Sequence, residues 1–233
     1  MTFPGLGETA RHRAADQLRG LYVIIDPQLT ANRDPLWVAE QALEGGATAL
    51  QLRDKVGLKG ETLPLAQRMV RLCRDHDAVC IINDHADLAV AAGAHGVHVG
   101  QRDLPVAMAR AVLKPWQLVG SSNALEEEAV ASYEAGADYI AVGAMFPSGS
   151  KSDTRPAGLE TMRQVRQALF PKGEPSTEPG LPLVAIGGIT RENVGEVAKA
   201  GADGICVISA VTMAEDPLGA ARELLAPFRA AQA

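Results

Sequence analysis

Four stretches of the chain repeat one junction: "EGGATALQL" from Glu44, "AAGAHGVHV" from Ala91, "EAGADYIAV" from Glu134 and "KAGADGICV" from Lys199. Each runs through small residues, Gly, Ala and one variable position into an apolar run. A Gly just past a helix end adopts the left-handed conformation that closes the helix and turns the chain. The copies therefore read as helix end, turn and strand. Eight short apolar runs follow this logic: LYVIID (21–26), TALQLRD (48–54), AVCIIND (78–84), GVHVGQ (96–101), LVGSS (118–122), YIAVGAM (139–145), LVAIGG (183–188) and GICVIS (204–209). The segments between them carry apolar residues at helical spacing, as at Leu104, Met108 and Leu113. Alternating strands and helices imply parallel strands, and near-continuous apolar strands imply burial on both faces.

Eight such units favour closure over an open sheet, and 233 residues approach the ~250 of a (β/α)8 TIM barrel. The α/β reading is one barrel domain over 21–233, preceded by an N-terminal arm or helix over 1–20. The Pro/Gly-rich "PKGEPSTEPGLP" (171–182) reads as a longer helix-to-strand loop, on the side of a barrel remote from chemistry.

Composition removes several functions. A formal net charge of −6 gives no basic footprint for nucleic acid. No apolar stretch reaches the ~20 residues of a membrane span, and no signal sequence opens the chain. Cys73, Cys80 and Cys206 lack metal-ligand or redox spacing, so they read as small hydrophobes in a cytoplasmic protein.

In a parallel barrel the site lies at the C-terminal strand ends. The second strand ends "QLRDK", and alternation puts Gln51, Arg53 and Lys55 on the face opposite Leu50 and Leu52. The third delivers Asn83 and Asp84, and Asp103 follows the fourth. Two carboxylates on neighbouring strands can share Mg²⁺, which takes one or two carboxylates plus substrate phosphate. Each aspartate alone reads first as a helix cap, Asp84 before Ala86 and Asp103 before Leu104. It is the pair beside the Arg/Lys cluster that shifts the reading to a metal–diphosphate site. His85 and His98 have no zinc-ligand spacing and read as a turn residue and a hydrogen-bonded barrel residue. "IGGI" (186–189) and "VISA" (207–210) follow strands seven and eight, where barrels bind phosphate monoesters through backbone N–H groups. "FPSGSKSDT" carries Ser148, Ser150 and Lys151 on a loop after strand six.

In order along the chain, "QLRDK", "IINDHADLAV", "GVHVGQRDLP", "GADYIAVGAMFPSGSK", "IGGI" and "GADGICVISAV" resemble the thiamine-phosphate synthase family from about Leu21 to Pro217. The resemblance implies a Mg²⁺-dependent alkyl transfer between two phosphorylated small molecules, an aminopyrimidine methyl diphosphate and a thiazole ethyl phosphate. Thiamine phosphate and diphosphate are the implied products. It implies further that Gln51, Arg53, Lys55, Asn83, Ser122 and Lys151 contact the diphosphate substrate, and that Asp84 and Asp103 hold Mg²⁺. Ser148, Gly149, Ser150, Gly188, Ile208 and Ser209 are implied to hold the thiazole phosphate. The chain departs from the family pattern at Ala124 and Leu125, where a His and a hydroxyl residue are usual, and in "PSGSK", where serines replace threonines. A related tautomerase barrel and a non-catalytic sensing barrel are the alternatives; retention of "QLRDK" with both acids argues against each.

Overall fold

The computed structural model describes residues 4–147, 155–171 and 180–232, with side chains from residue 9 onward. Eight parallel strands close in sequence order into a barrel. They are β1 (Leu21–Ile25), β2 (Ala49–Leu52), β3 (Val79–Asn83), β4 (Gly96–Val99), β5 (Leu118–Asn123), β6 (Tyr139–Val142), β7 (Leu183–Ile186) and β8 (Gly204–Val207). The helices between them are α2 (Pro35–Glu44), α3 (Lys59–Asp75), α4 (Ala86–Ala92), α5 (Val106–Val112), α6 (Glu126–Glu134), α7 (Gly158–Leu169) and α8 (Val194–Lys199). The short α9 (Ser209–Thr212) and the long α10 (Pro217–Gln232) complete the ring, and α1 (Pro4–Asp16) precedes it. The fold is the (β/α)8 barrel read from the sequence.

Strand alternation separates two cores. Val23, Leu50, Leu52, Ile82, Val97 and Ile205 point outward into the layer shared with the helices. Tyr22, Ile24, Ile81, Tyr139, Val184 and Cys206 point inward and fill the barrel. Two tyrosines fit there because the facing positions are small. A side chain at Gly120 would overlap the Tyr139 ring, so glycine at that position makes room for it. The stretch ahead of β1 closes the N-terminal end, with Ala15 and Leu18 buried in the interior core. Cys73 and Cys80 are buried thiols, as their spacing led us to expect.

The repeated junction has a structural job at its variable position, occupied by Thr48, His95, Asp138 and Asp203. In three copies this side chain accepts a hydrogen bond from the first turn of strand backbone next door. His95 Nδ1 accepts from Cys80 N (2.9 Å), Asp138 from Val119 N (2.7 Å) and Asp203 from Leu183 N (2.9 Å). Thr48 instead donates to the Gln17 carbonyl. The two aspartates each also bind two arginines: Arg110 and Arg11 at Asp138, Arg166 and Arg19 at Asp203. Asp203→Ala would leave the Leu183 N–H without its acceptor and two guanidiniums without their counter-ion, a loss of about 2–3 kcal/mol. Urea unfolding reads that value directly; a loss below about 0.5 kcal/mol, the range of an ordinary surface substitution, would remove the junction's stabilising role.

Candidate active site

A cavity of about 1020 Å³ opens at the C-terminal strand ends. Of the residues expected there, Arg53, Lys55, Asn83, Asp84, Asp103, Ser122, Gly188, Ile208 and Ser209 line it. Ser148, Gly149, Ser150 and Lys151 lie outside the described residues. Gln51 faces the interior as alternation requires, yet it sits beneath the lining rather than in it: it is 1% exposed, and its Nε2 donates to the Tyr22 hydroxyl. Its Oε1 is buried without a partner among the described residues.

The β2 cations are held by acids from flanking strands. Asp26 follows β1 and is 3% exposed, so its charge requires a partner. Arg53 supplies it through a direct ion pair, and the same contact fixes the guanidinium at the mouth. Lys55 pairs with Asp84 across the β2–β3 ends.

Neither aspartate of the acid pair caps a helix. The N-cap of α4 is His85, and that of α5 is Pro105. Asp103 instead accepts from Gly100 N at 2.8 Å, bracing its own loop. Asp84 stands at φ +62°, a left-handed backbone that Asp tolerates better than most residues, and its N–H is tied to the His98 carbonyl at 2.8 Å. Strained backbone held by tertiary contacts is characteristic of functional sites. The two carboxyls interact directly. Burial works against the charge of Asp84, but the Lys55 ammonium and a hydrogen bond from Asp103 outweigh it and hold this carboxyl below the usual carboxylate range. At Asp103 burial, together with the neighbouring Asp84 charge, prevails over the Gly100 N–H and pushes the pKa up. Two acids whose pKa values are pushed apart thus stand beside one lysine at the mouth.

The opposite wall is backbone. Gly187 and Gly188 have φ of +101° and +64°, and a Cβ at Gly188 would lie 2.6 Å from the Pro147 carbonyl. Only glycine lets the turn after β7 pack so closely against the loop after β6. Phe146 N donates to the Gly187 carbonyl, and Asn193 Nδ2 to that of Gly188, which pins the turn from both sides. The Ile208–Ser209 start of α9 lies beside it.

Several lining residues were not assigned to the mouth from the sequence. His98 belongs to the mouth as well as to the barrel hydrogen bonding expected of it, since it lines the cavity. The alternation that turned Gln51 inward also turns His98 inward, between the outward Val97 and Val99. Arg102, Gln101, Asn123, Glu128 and Arg155 also line the cavity. Where Ala124 stands, its N–H donates to Glu128 (2.9 Å), and Glu128 in turn pairs with Arg155 (2.6 Å). That acid and base come from α6 and from the loop ahead of α7, so no strand-end pattern could have found them.

A closed eight-stranded parallel barrel with a polar cavity at its C-terminal strand ends has the architecture of (β/α)8 enzymes. The family model described as thiamine monophosphate synthase matches residues 21–211. The chain belongs to that family. It is 46% identical over 82% of its length, and 86% of the relative's, to the thiamine-phosphate synthase of Chlorobium luteolum. With that of Shouchella clausii it shares 41% identity over 91% of this chain and 97% of the relative. Among solved structures, thiamine phosphate pyrophosphorylase from Pyrococcus furiosus superposes with a TM-score of 0.82 at 35% identity, covering 96% of this chain and 99% of that one. A 3-hexulose-6-phosphate synthase structure at 21% identity and TM-score 0.62 shares the fold alone. Family membership supports a transferase of thiamine biosynthesis. No helix among the described residues is long and apolar enough to cross a membrane.

Proposed function

We propose that the chain is a Mg²⁺-dependent thiamine-phosphate synthase. It would join 4-amino-2-methyl-5-(diphosphooxymethyl)pyrimidine to thiazole ethyl phosphate, or its carboxylated tautomer, and release diphosphate. The observation that carries this reading is the sharing of one cavity by the Asp84–Asp103 pair, Arg53 and Lys55 on one wall and the Gly187–Gly188 turn on the other. Two anionic substrates need two such regions on one mouth.

The donor set fits Mg²⁺. Among the described residues no cluster of three or more His, Cys, Asp or Glu is placed to hold a metal. A two-carboxylate site completed by water and substrate phosphate is the usual magnesium arrangement. Asp84 and Asp103 would hold the ion, which when bound supplies positive charge to the departing diphosphate.

The chain's own residues do the rest. Arg53, fixed by Asp26, and Lys55, released from Asp84 as other positive charge arrives, neutralise the leaving group. Such preorganised charge is usually the largest single contribution to catalysis. Ser122 adds a hydroxyl at the mouth, and Gln51, one layer below, supports the interior through its hydrogen bond to Tyr22. The glycine turn and Ile208–Ser209 hold the thiazole phosphate, keeping the ring nitrogen in line with the pyrimidine methylene. As the carbon–oxygen bond breaks, the electron-rich aminopyrimidine carries the developing cation until that nitrogen captures it. No protein nucleophile is required; the Ser122–His98 contact at the cavity is backed by the Tyr139 hydroxyl rather than by a carboxylate.

The test incubates purified protein with both substrates, with and without Mg²⁺. Thiamine phosphate formed only with the metal is expected; thiazole isomerisation without coupling would replace this reading with a tautomerase. The raised pKa of Asp103 adds a sign. The free protein keeps that proton to higher pH than an ordinary carboxylate, and Mg²⁺ must displace it. Mg²⁺ affinity therefore rises with pH through the Asp103 range, and binding releases protons there. Calorimetry in two buffers of different ionisation heat measures the release, and pH-independent affinity across that range would remove Asp103 from the metal site.

A further inference from the structure

A hydrogen-bonded chain crosses the barrel interior from β2 to β5, linking side chains that burial alone would not require to be polar. Gln51 Nε2 donates to the Tyr22 hydroxyl. The Tyr22 and Tyr139 hydroxyls lie 3.3 Å apart, and Tyr139 Oη is 2.9 Å from His98 Nδ1. His98 Nε2 is 2.7 Å from Ser122 Oγ. The rings pack as a unit, with Tyr22 edge-on to Tyr139 and His98 stacked on Tyr139. Gln51, Tyr22, Tyr139 and His98 are all buried, while Ser122 lies at the cavity surface.

Proton counting gives the chain a direction. An amide NH2 only donates, so the Tyr22 oxygen accepts from it and passes its single proton to Tyr139. Tyr139 has one proton as well, which goes to His98 Nδ1. A neutral imidazole that accepts at Nδ1 carries its hydrogen on Nε2 and gives it to Ser122 Oγ. The Ser122 proton then has no acceptor left within the chain. The reverse direction requires Gln51 to accept from Tyr22 through Oε1, which would bury an unpaired NH2 in place of an unpaired carbonyl oxygen. Orphaned buried N–H groups are the rarer of the two.

We propose that this one-way chain holds His98 as the Nε2–H tautomer and turns Ser122 into a fixed hydrogen-bond donor aimed at an anion in the mouth. Tyr22, Tyr139 and His98 are positioning residues; Ser122 makes the contact. Run backwards, the same atoms would present Ser122 as an acceptor and repel that anion. A donor set before the ligand arrives requires no reorganisation when charge develops. The anion is the diphosphate of the proposed function, and this part of the inference rests on that reading; the direction of the chain does not.

Two measurements test it. In substrate-free protein labelled with ¹⁵N-histidine at pH 8, with the His98 signals identified by their loss in His98→Asn, Nδ1 is expected unprotonated and Nε2 protonated. The Nδ1–H tautomer would overturn the proposal, and this readout stands even if the protein makes no thiamine phosphate. The second is a cycle on the binding of inorganic diphosphate with Mg²⁺. Ser122→Ala and Tyr139→Phe are each expected to weaken binding about five- to tenfold, as for a lost hydrogen bond to a charged group. The double variant is expected to be no weaker than Ser122→Ala alone. Effects that multiply would show that Tyr139 acts otherwise than through Ser122. Should Tyr139→Phe fail to fold, Tyr22→Phe interrupts the chain one link earlier and takes its place in the cycle.

Discussion

Asp84→Asn is expected to lower turnover about 10²–10³-fold while the barrel stays folded, the scale on which a preorganised charge-stabilising group is lost. Asparagine tolerates the left-handed backbone at this position as aspartate does, so the substitution removes charge without adding strain. Its ion-pair partner Lys55 is about half exposed and returns to water at little cost. Stability should therefore change by less than about 1 kcal/mol while Mg²⁺ affinity collapses. Asp103→Asn should act in the same direction. Steady-state kinetics across a Mg²⁺ titration, paired with thermal unfolding, separates these outcomes. Undiminished diphosphate release by both variants would reject the metal assignment; loss of folding would recast Asp84 as structural.

Arg53→Met is expected to damage both activity and stability, because Arg53 serves two partners. Toward the mouth it stands among the cations proposed to receive the diphosphate. Toward the barrel it neutralises Asp26, which is 3% exposed. Removing one member of a buried ion pair costs about 3–5 kcal/mol, because the other charge is left without compensation. For a domain of this size that is a fall in Tm of roughly 10 °C. Turnover should fall a further 10²-fold or more by roughly the same measure as at Asp84. The double variant Arg53→Met with Asp26→Asn tells the two roles apart. It no longer buries a lone charge, so much of the stability should return while turnover does not. Recovery of activity together with stability would mean that Arg53 acts only as a counter-ion.

The two variants also show how far the sequence could be read. Asp84 and Asp103 were legible because a carboxylate at the end of an apolar strand has few explanations, and the repeat put both strands side by side. Arg53 and Lys55 were legible through alternation against Leu50 and Leu52. Asp26 was absorbed into the strand "LYVIID", since nothing local distinguishes a strand-end acid facing the mouth from one facing solvent. His98 was placed in the barrel but not in the cavity, and Gln51 in the cavity although it lies one layer below. Alternation gives the side of a strand; depth along the barrel axis depends on the stagger of neighbouring strands, which no single segment encodes.

The chain's periodicity and its four Gly-Ala junctions by themselves determined eight parallel strands, closure, and the end of the barrel at which the acids and cations gather. These are consequences of local backbone preference and of the need to bury both strand faces. What only the tertiary structure decided is which of those groups meet: Asp26 with Arg53, Glu128 with Arg155, and Ser122 with Gln51 through two tyrosines and a histidine. Such partners are far apart in sequence and a few ångströms apart in space, so their pairing is set by barrel closure and packing rather than by any stretch of residues read alone.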